Sequence, residues 1–137
     1  LIEESPFEGT ILENITMGDK SISQRDLYWA LENMGLLQFI KDQPQGLNTL
    51  LFPEGKQIPY TIAKKIILAR SIVKKPKVLI LKDPLHQLDK DEALRIMNFL
   101  LDNNNPWALV VVSQDPKWIK RCNRIVTLDQ GKIVSQT

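Results

Sequence analysis

Two short, wholly apolar runs constrain the fold of this chain more than any other feature. The first lies within residues 77–82, as Lys-Val-Leu-Ile-Leu-Lys, and the second lies within "WALVVVSQ" at 107–114. Both are too short for a buried helix and are rich in branched apolar residues, so each predicts a strand. Strands that are apolar at successive positions are typical of a parallel sheet covered on both faces. The pattern therefore predicts a pair of buried parallel strands.

Helical patterns surround these strands. A helix is predicted from about Tyr60 to Val73, and another over 90–102, since apolar residues recur in both at spacings of three or four. The residues expected to face the core are Ile62, Ile66, Ala69 and Val73 in the first helix, and Leu94, Met97, Leu100 and Leu101 in the second.

The end of the chain continues this alternation. A short helix is predicted after the second strand, with Pro116 in its first turn. Two final strands within 124–136 are joined at Asp-Gln-Gly-Lys, which predicts a hairpin. From Tyr60 onward, the order of elements indicates an α/β layered fold with right-handed crossovers.

The first 59 residues have a different character. Residues 1–20 are expected to be mostly loop and extended chain, followed by a helix over 24–34 with Ser23 as its N-cap. A second short helix over 36–42 stops before Pro44. The first 45 residues are predicted to form a separate helical lobe, and 43–59 an irregular loop.

Composition excludes some classes of protein. The formal net charge is +2, from 18 basic and 16 acidic residues, which gives no argument for nucleic-acid binding. Lysines between 56 and 77 are expected on a solvated helix face and its exit loop. The single cysteine, Cys122, excludes an internal disulfide and suits a reducing compartment. No apolar stretch approaches ~18 residues. The first residue is Leu1, so we expect a piece of a longer chain.

Several segments together resemble the ATPase domain of ATP-binding cassette (ABC) transporters of the exporter type. They are "FEGTILENI" (7–15), "ILARSIVKKPKVLIL" (67–81) and "LDQGKIV" (128–134). The resemblance implies the later part of a P-loop NTPase-like α/β domain, with parallel strands, a helical lobe and a C-terminal β-hairpin. It places the Q-loop-proximal segment and helical subdomain at 1–60 and the C-terminal part of the ATPase core at 61–137. The phosphate-binding loop GxxxxGK[ST] is absent from this chain, and the resemblance implies that it lies upstream.

At the end of the first apolar strand, the chain departs from the family's pattern. Lys82 stands at the position of the Walker B aspartate, which supports magnesium, and Asp83 stands at that of the catalytic glutamate. Aspartate is one methylene shorter, and catalysis depends steeply on position. For Lys82, pairing with Asp83 or Asp89, exposure to solvent, and contact with a phosphate are alternatives that remain open. No metal site is expected.

The other motifs are also altered. The signature motif aligns with residues 58–62, where Pro59 has no N–H to donate and Tyr60 adds a ring where close approach is needed. Within it, Tyr60 and Thr61 are weak candidates for nucleotide contact, as are Lys82 and Asp89 elsewhere in the chain. Asp89 matches the D-loop aspartate.

Two further positions lack the family's residue. Gln114 replaces the switch histidine, and glutamine cannot carry that residue's charge. The Q-loop glutamine falls near Ile2 or Glu3, neither of which is glutamine. The only histidine, His86, is expected to be an exposed loop residue.

These substitutions predict a degenerate nucleotide-binding domain fragment with little or no ATP hydrolysis of its own. The resemblance implies pairing with a second ABC ATPase domain, coupling to a membrane-spanning domain, and a place on the cytoplasmic face of a membrane. No cofactor is expected in this fragment, whereas ATP and magnesium are implied for the full-length protein. Two alternatives stay open: an ATP-binding or ATP-hydrolysing half of an exporter whose phosphate loop lies upstream, and a regulatory pseudo-ATPase with no role in transport.

Overall fold

The computed structural model of this protein describes residues 4–137, which form six helices and three two-stranded sheets. The helices are α1 (Ile11–Thr16), α2 (Gln24–Asn33), α3 (Leu37–Asp42), α4 (Tyr60–Ile72), α5 (Lys90–Leu100) and α6 (Pro116–Ile119). The strands are β1 (Gly9–Thr10), β2 (Leu50–Leu51), β3 (Val78–Lys82), β4 (Ala108–Val112), β5 (Val126–Asp129) and β6 (Lys132–Gln136). Short 3₁₀ turns cover Gly46–Asn48 and Pro53–Gly55.

The two apolar runs form a parallel pair, as predicted. In β3 and β4, Val78 is opposite Ala108 and Lys82 is opposite Val112, and α5 makes the connection between the strands. The predicted order of helix, strand, helix, strand, helix and hairpin from Tyr60 onward is confirmed. The architecture is therefore a mixed α/β arrangement with small sheets.

The prediction that this sheet is covered on both faces is wrong for residues 4–137. In β3, Leu79 and Leu81 are buried, whereas Val78 and Ile80 are 56% and 60% exposed. Val110 and Val112 of β4 are similarly exposed. We call the surface formed by Val78, Ile80, Val110 and Val112 the open face. Apolar residues on both faces of a strand allow either face to be buried, but only the packing shows which face is covered.

The hydrophobic core lies along α4. Ile66, Ala69 and Val73 are buried as predicted, and Ile62 is partly buried against the same core. Helices α1 and α2 pack on α4, so the core continues from the predicted helical lobe into the second half of the chain. Met97 and Leu100 of α5 join it. Leu94 was expected to face inward but is half exposed, which is an error in the predicted helix face.

The N-terminal segment contains more regular structure than expected. Helix α1 lies within the supposed loop and begins with a capping box: Thr10 Oγ1 accepts from Glu13 N, and Glu13 Oε2 accepts from Thr10 N. The sequence contains the Thr-x-x-Glu pattern that signals such a cap, so the expectation of a loop here is wrong. Strand β1 pairs with β2, from the region predicted as irregular loop.

The predicted cap at Ser23 and the predicted C-terminal hairpin are both confirmed. Ser23 caps α2 by accepting from Asp26 N at 3.0 Å. The final strands form an antiparallel hairpin whose turn places Gln130 and Gly131 at φ 46° and 78°. Two successive left-handed residues give the twist that a two-residue hairpin turn requires. No helix of the described residues is both long and apolar enough to cross a membrane.

Candidate functional site

The end of β3 forms a tight turn that holds Asp83. The Asp83 N–H donates to the Val112 carbonyl at 2.9 Å, so the parallel ladder extends one residue past Lys82. Asp83 then adopts φ 40°, and its carbonyl accepts from His86 N at 3.2 Å. Pro84, the next residue of the turn, is buried. The backbone thereby fixes Asp83 at the carboxyl end of the sheet, where α/β proteins position functional side chains.

A polar cleft of about 280 Å³ opens beside this turn. Asp83 and His86 line it from the end of β3, and Gln114 lines it from the end of β4. The other lining residues are Leu85, Ser113, Asp115 and Trp118. The structure thus brings together the two positions that align with the catalytic glutamate and the switch histidine, because the carboxyl ends of parallel strands meet at one edge.

Lys82 points to a second, larger groove of about 550 Å³. This groove lies between α4 and the open face, and Tyr60, Ile80 and Asp83 also line it. Lys82 is exposed, and none of the ion pairs formed within residues 4–137 includes it. Pairing of Lys82 with Asp83 or Asp89 is therefore not found among the described residues, whereas its contact with a phosphate stays a prediction. The expected exposure of His86 is also found.

Helix α4 begins without a side-chain cap. Pro59 occupies the N-cap position, and its carbonyl accepts from Ile62 N and Ala63 N, both at 3.0 Å. Tyr60 is 43% exposed, and Lys64 Nζ lies 5.4 Å from its ring centroid. The same ammonium donates to the Tyr60 hydroxyl at 3.3 Å. Pro59 therefore offers no N–H at this end of the helix, and the Tyr60 ring lies beside Lys64, one turn further along.

The remaining candidate residues lie apart from these cavities. Asp89 is the N-cap of α5, and its carboxylate accepts from Asp91 N and Glu92 N, both at 3.2 Å. Thr61 is partly buried in the first turn of α4. Neither residue lines the cleft or the groove. A helix cap is a sufficient structural reason for an aspartate at position 89.

Sequence reasoning missed one buried and one partly buried cationic residue on α4. Lys65, assigned to the solvated face, is buried and donates to Glu92 of α5 at 2.5 Å. Arg70 bonds the carbonyl and side chain of Asn14, and burial lowers its pKa. Lys65 lies within the apolar stripe of α4, and that position is the signal that could have identified it as buried.

Outside the core, two exposed lysines pair with carboxylates of the N-terminal half. Hydrogen bonding by Lys74 holds the pKa of Asp19 well below its usual value, and Lys75 lowers the pKa of Asp26 in the same way. These pairs connect the end of α4 to α2 and to the turn before it. They lie outside both cavities.

The residues at the carboxyl ends of β3 and β4 do not form a site suited to a magnesium ion. Magnesium prefers oxygen ligands, and here an exposed ammonium accompanies the carboxylate of Asp83. Within residues 4–137 there is no group of three or more His, Cys, Asp or Glu side chains arranged to hold a metal. The arrangement offers a polar cleft lined by two carboxylates, Asp83 and Asp115, with one amide and one imidazole.

Known proteins that are similar to this chain show which fold it has. No protein-family model matches the chain. A bacterial Atm1-family ABC exporter, solved with ATP bound, superposes on 97% of this chain with a TM-score of 0.87 and 23% sequence identity, over 23% of its own length. The fold is therefore that of part of an ABC exporter.

The related sequences agree with that fold. The α-factor-transporting ATPase of Saccharomyces cerevisiae is 30% identical over 140 residues, which cover 99% of this chain and 11% of that protein. The α-hemolysin translocation ATP-binding protein HlyB of Escherichia coli is 25% identical over 93% of this chain and 18% of its own length. This chain is thus homologous to a segment of ABC transporters and exporters, as its motifs predicted. It spans between about a tenth and a quarter of the relatives described.

Proposed function

We propose that this chain is the later part of an exporter-type ABC ATP-binding domain in which the hydrolytic site has been lost. Its role in that proposal is mechanical: it pairs with a second ATP-binding domain and transmits movement to a membrane-spanning part. The names of its relatives support the transporter context, since they include a transporting ATPase and a translocation ATP-binding protein.

The observation that carries the proposal is the pair of residues at the end of β3. Lys82 places a positive charge where a hydrated divalent cation would have to approach Asp83, and like charges repel. The start of α4 supports the same conclusion independently, because Pro59 has no N–H to donate and Tyr60 places a ring in the first turn. Gln114 then lines the cleft without the charge that a histidine could carry.

The open face supports the expectation that more of the ATP-binding domain packs against this chain. Parallel strands are normally buried on both faces, yet Ile80 and Val110 are about half exposed or more. According to the resemblance, the segment that carries the phosphate-binding loop is the part of the domain that lies outside this chain. Such packing fits both the proposal and the alternative of an ATP-binding or ATP-hydrolysing half whose phosphate loop lies outside this chain.

Calorimetric titration of the purified chain with ATP and magnesium tests the proposal. We expect no saturable binding at millimolar nucleotide, and the same null result with Lys82→Ala, because the start of α4 is altered as well. An ABC ATP-binding domain with intact motifs serves as the positive control. A low-micromolar dissociation constant for this chain would overturn the proposal. Finding GxxxxGK[ST] in the preceding coding sequence would favour the nucleotide-binding alternative.

A further inference from the structure

We propose that residues 4–7 form a mechanical link that holds the start of α4 in position, so that a displacement of this segment is transmitted to residues 54–60. The proposal rests on the proposed function in one respect only: the start of α4 is the part that would face a second ATP-binding domain. The link itself is a property of this chain and can be measured without nucleotide.

The first anchor of the link is Arg70, in the last turns of α4. Its Nε donates to the Asn14 carbonyl at 2.6 Å, and its Nη2 donates to Asn14 Oδ1 at 3.0 Å. The carbonyl of Asn14 is among the last of α1 and has no partner within that short helix, so the guanidinium also caps α1. Arg70 further lies 5.4 Å from the Phe7 ring centroid and 3.6 Å from the Glu4 carboxylate.

Asn14 connects this anchor to the segment. Its side chain is fully buried, accepts from Phe7 N at 2.9 Å and donates to the carbonyls of Phe7 and Thr10, each at 3.0 Å. Both backbone groups of Phe7 are thus held by one amide. A buried amide with all its groups satisfied has a single favourable orientation, so Phe7 and Arg70 are held in a fixed relationship.

The second anchor lies next to the start of α4. The Glu54 N–H donates to the Pro6 carbonyl at 2.9 Å. Gly55 follows at φ 63°, and a Cβ on it would lie 3.0 Å from Pro6 Cγ and 3.5 Å from Ala63 Cβ. The turn at 53–55 is therefore packed between the segment and the first turns of α4. Residues 4–7 therefore contact α4 at two places. Arg70 provides the contact near the end of the helix, and the turn at 53–55 provides the contact near its beginning.

Amide hydrogen exchange measured by NMR on the 137-residue chain tests the link. The Glu54 amide reports on the second anchor, because its acceptor is the Pro6 carbonyl. Arg70→Lys keeps the positive charge but cannot make both hydrogen bonds to Asn14. In this variant we expect the Glu54 and Phe7 amides to exchange at least about threefold faster, relative to amides in the core of α4. Lys74→Gln, which removes the exposed pair with Asp19, is the matched control and should leave Glu54 unchanged.

A pair of glycine variants tests transmission in the opposite direction. Gly55→Ala and Gly46→Ala introduce a side chain at similar positive φ values, 63° and 51°, but no atom lies within 4 Å of the new Cβ at position 46. We expect Gly55→Ala to accelerate exchange at Phe7, whereas Gly46→Ala does not.

Three results would overturn the link: a faster Phe7 with an unchanged Glu54 in Arg70→Lys, a uniform increase at all amides in that variant, or equal effects of the two glycine variants. None depends on whether the chain binds ATP, so failure of the link and failure of the proposed function are distinguishable.

Discussion

The ammonium of Lys65 on α4 lies 2.5 Å from a carboxylate oxygen of Glu92 on α5, and the lysine side chain is only 8% exposed. A charge removed from water is tolerated only when a partner compensates for its lost hydration. Glu92 also lies 4.0 Å from Arg95, so the carboxylate has two cationic neighbours. The pair joins the helix before β3 to the helix after it.

Breaking this pair from the carboxylate side should destabilise the protein. We expect Glu92→Gln to lower the free energy of unfolding by about 3 kcal/mol, because it leaves the Lys65 ammonium buried without a countercharge. The double variant Lys65→Met with Glu92→Leu should recover most of that loss. Urea denaturation followed by circular dichroism measures both.

The exposed pair of Lys56 and Glu54, 3.6 Å apart, is the control for this measurement. We expect Lys56→Ala to change the free energy of unfolding by less than about 0.5 kcal/mol, because water screens exposed charges. A loss in Glu92→Gln as small as this would contradict the interpretation that the buried pair matters.

Alternating substitutions along β3 should show which face of the sheet is covered. Leu79 is 4% exposed and Ile80 is 60% exposed. We therefore expect Leu79→Ala to reduce stability by about 2–4 kcal/mol and Ile80→Ala by less than about 1 kcal/mol, although the two deletions are similar in size. Denaturant titration at two protein concentrations is the measurement. Equal losses that grow with dilution would instead mean that the open face is buried between copies.

Acid should weaken the protein through two aspartates near the end of α4. Hydrogen bonding by Lys74 and Lys75 lowers the pKa of Asp19 and Asp26 below the ordinary 3.8. A lowered pKa in the folded state means that the stabilisation is complete above the unfolded value and is lost as the pH falls through the folded one. The urea midpoint should therefore decline from about pH 4 downward.

The matched variant for this effect is Lys74→Gln together with Lys75→Gln. It removes both partners, so the acid decline should become shallower while the remaining carboxylates still titrate. An identical decline in the variant and the unaltered chain would show that these two pairs do not contribute to acid sensitivity.

The capping role of Asp89 can be tested directly. The resemblance aligns this residue with the D-loop aspartate, and the structure shows it as the N-cap of α5. We expect Asp89→Ala to cost about 1 kcal/mol, because Asp91 N and Glu92 N lose their acceptor. Asp89→Asn should cost only a few tenths of that, since asparagine also caps well. Thermal unfolding measures both. An equal loss in the two variants would indicate a role for the negative charge beyond capping.

Local patterns accounted for much of the fold. The hairpin turn at Gln130-Gly131, the Ser23 cap and the apolar runs of β3 and β4 were recognisable because each depends on neighbours within a few residues. The same local reasoning should have found α1 from Thr10 and Glu13. The roles of Asp83, Gln114, Tyr60, Thr61 and Lys82 toward nucleotide stay predictions, and so does the division of the chain at residue 60.

The sequence by itself determined the types and order of the elements from Tyr60 onward, since helix and strand periodicities are short-range properties of the chain. The tertiary structure alone decided which side of β3 is buried and which residues pair with the cationic side chains of α4. Lys65 meets a partner 27 residues away, and Arg70 meets one 56 residues away. No periodicity encodes such a pairing, because it depends on which surfaces the folded chain removes from water.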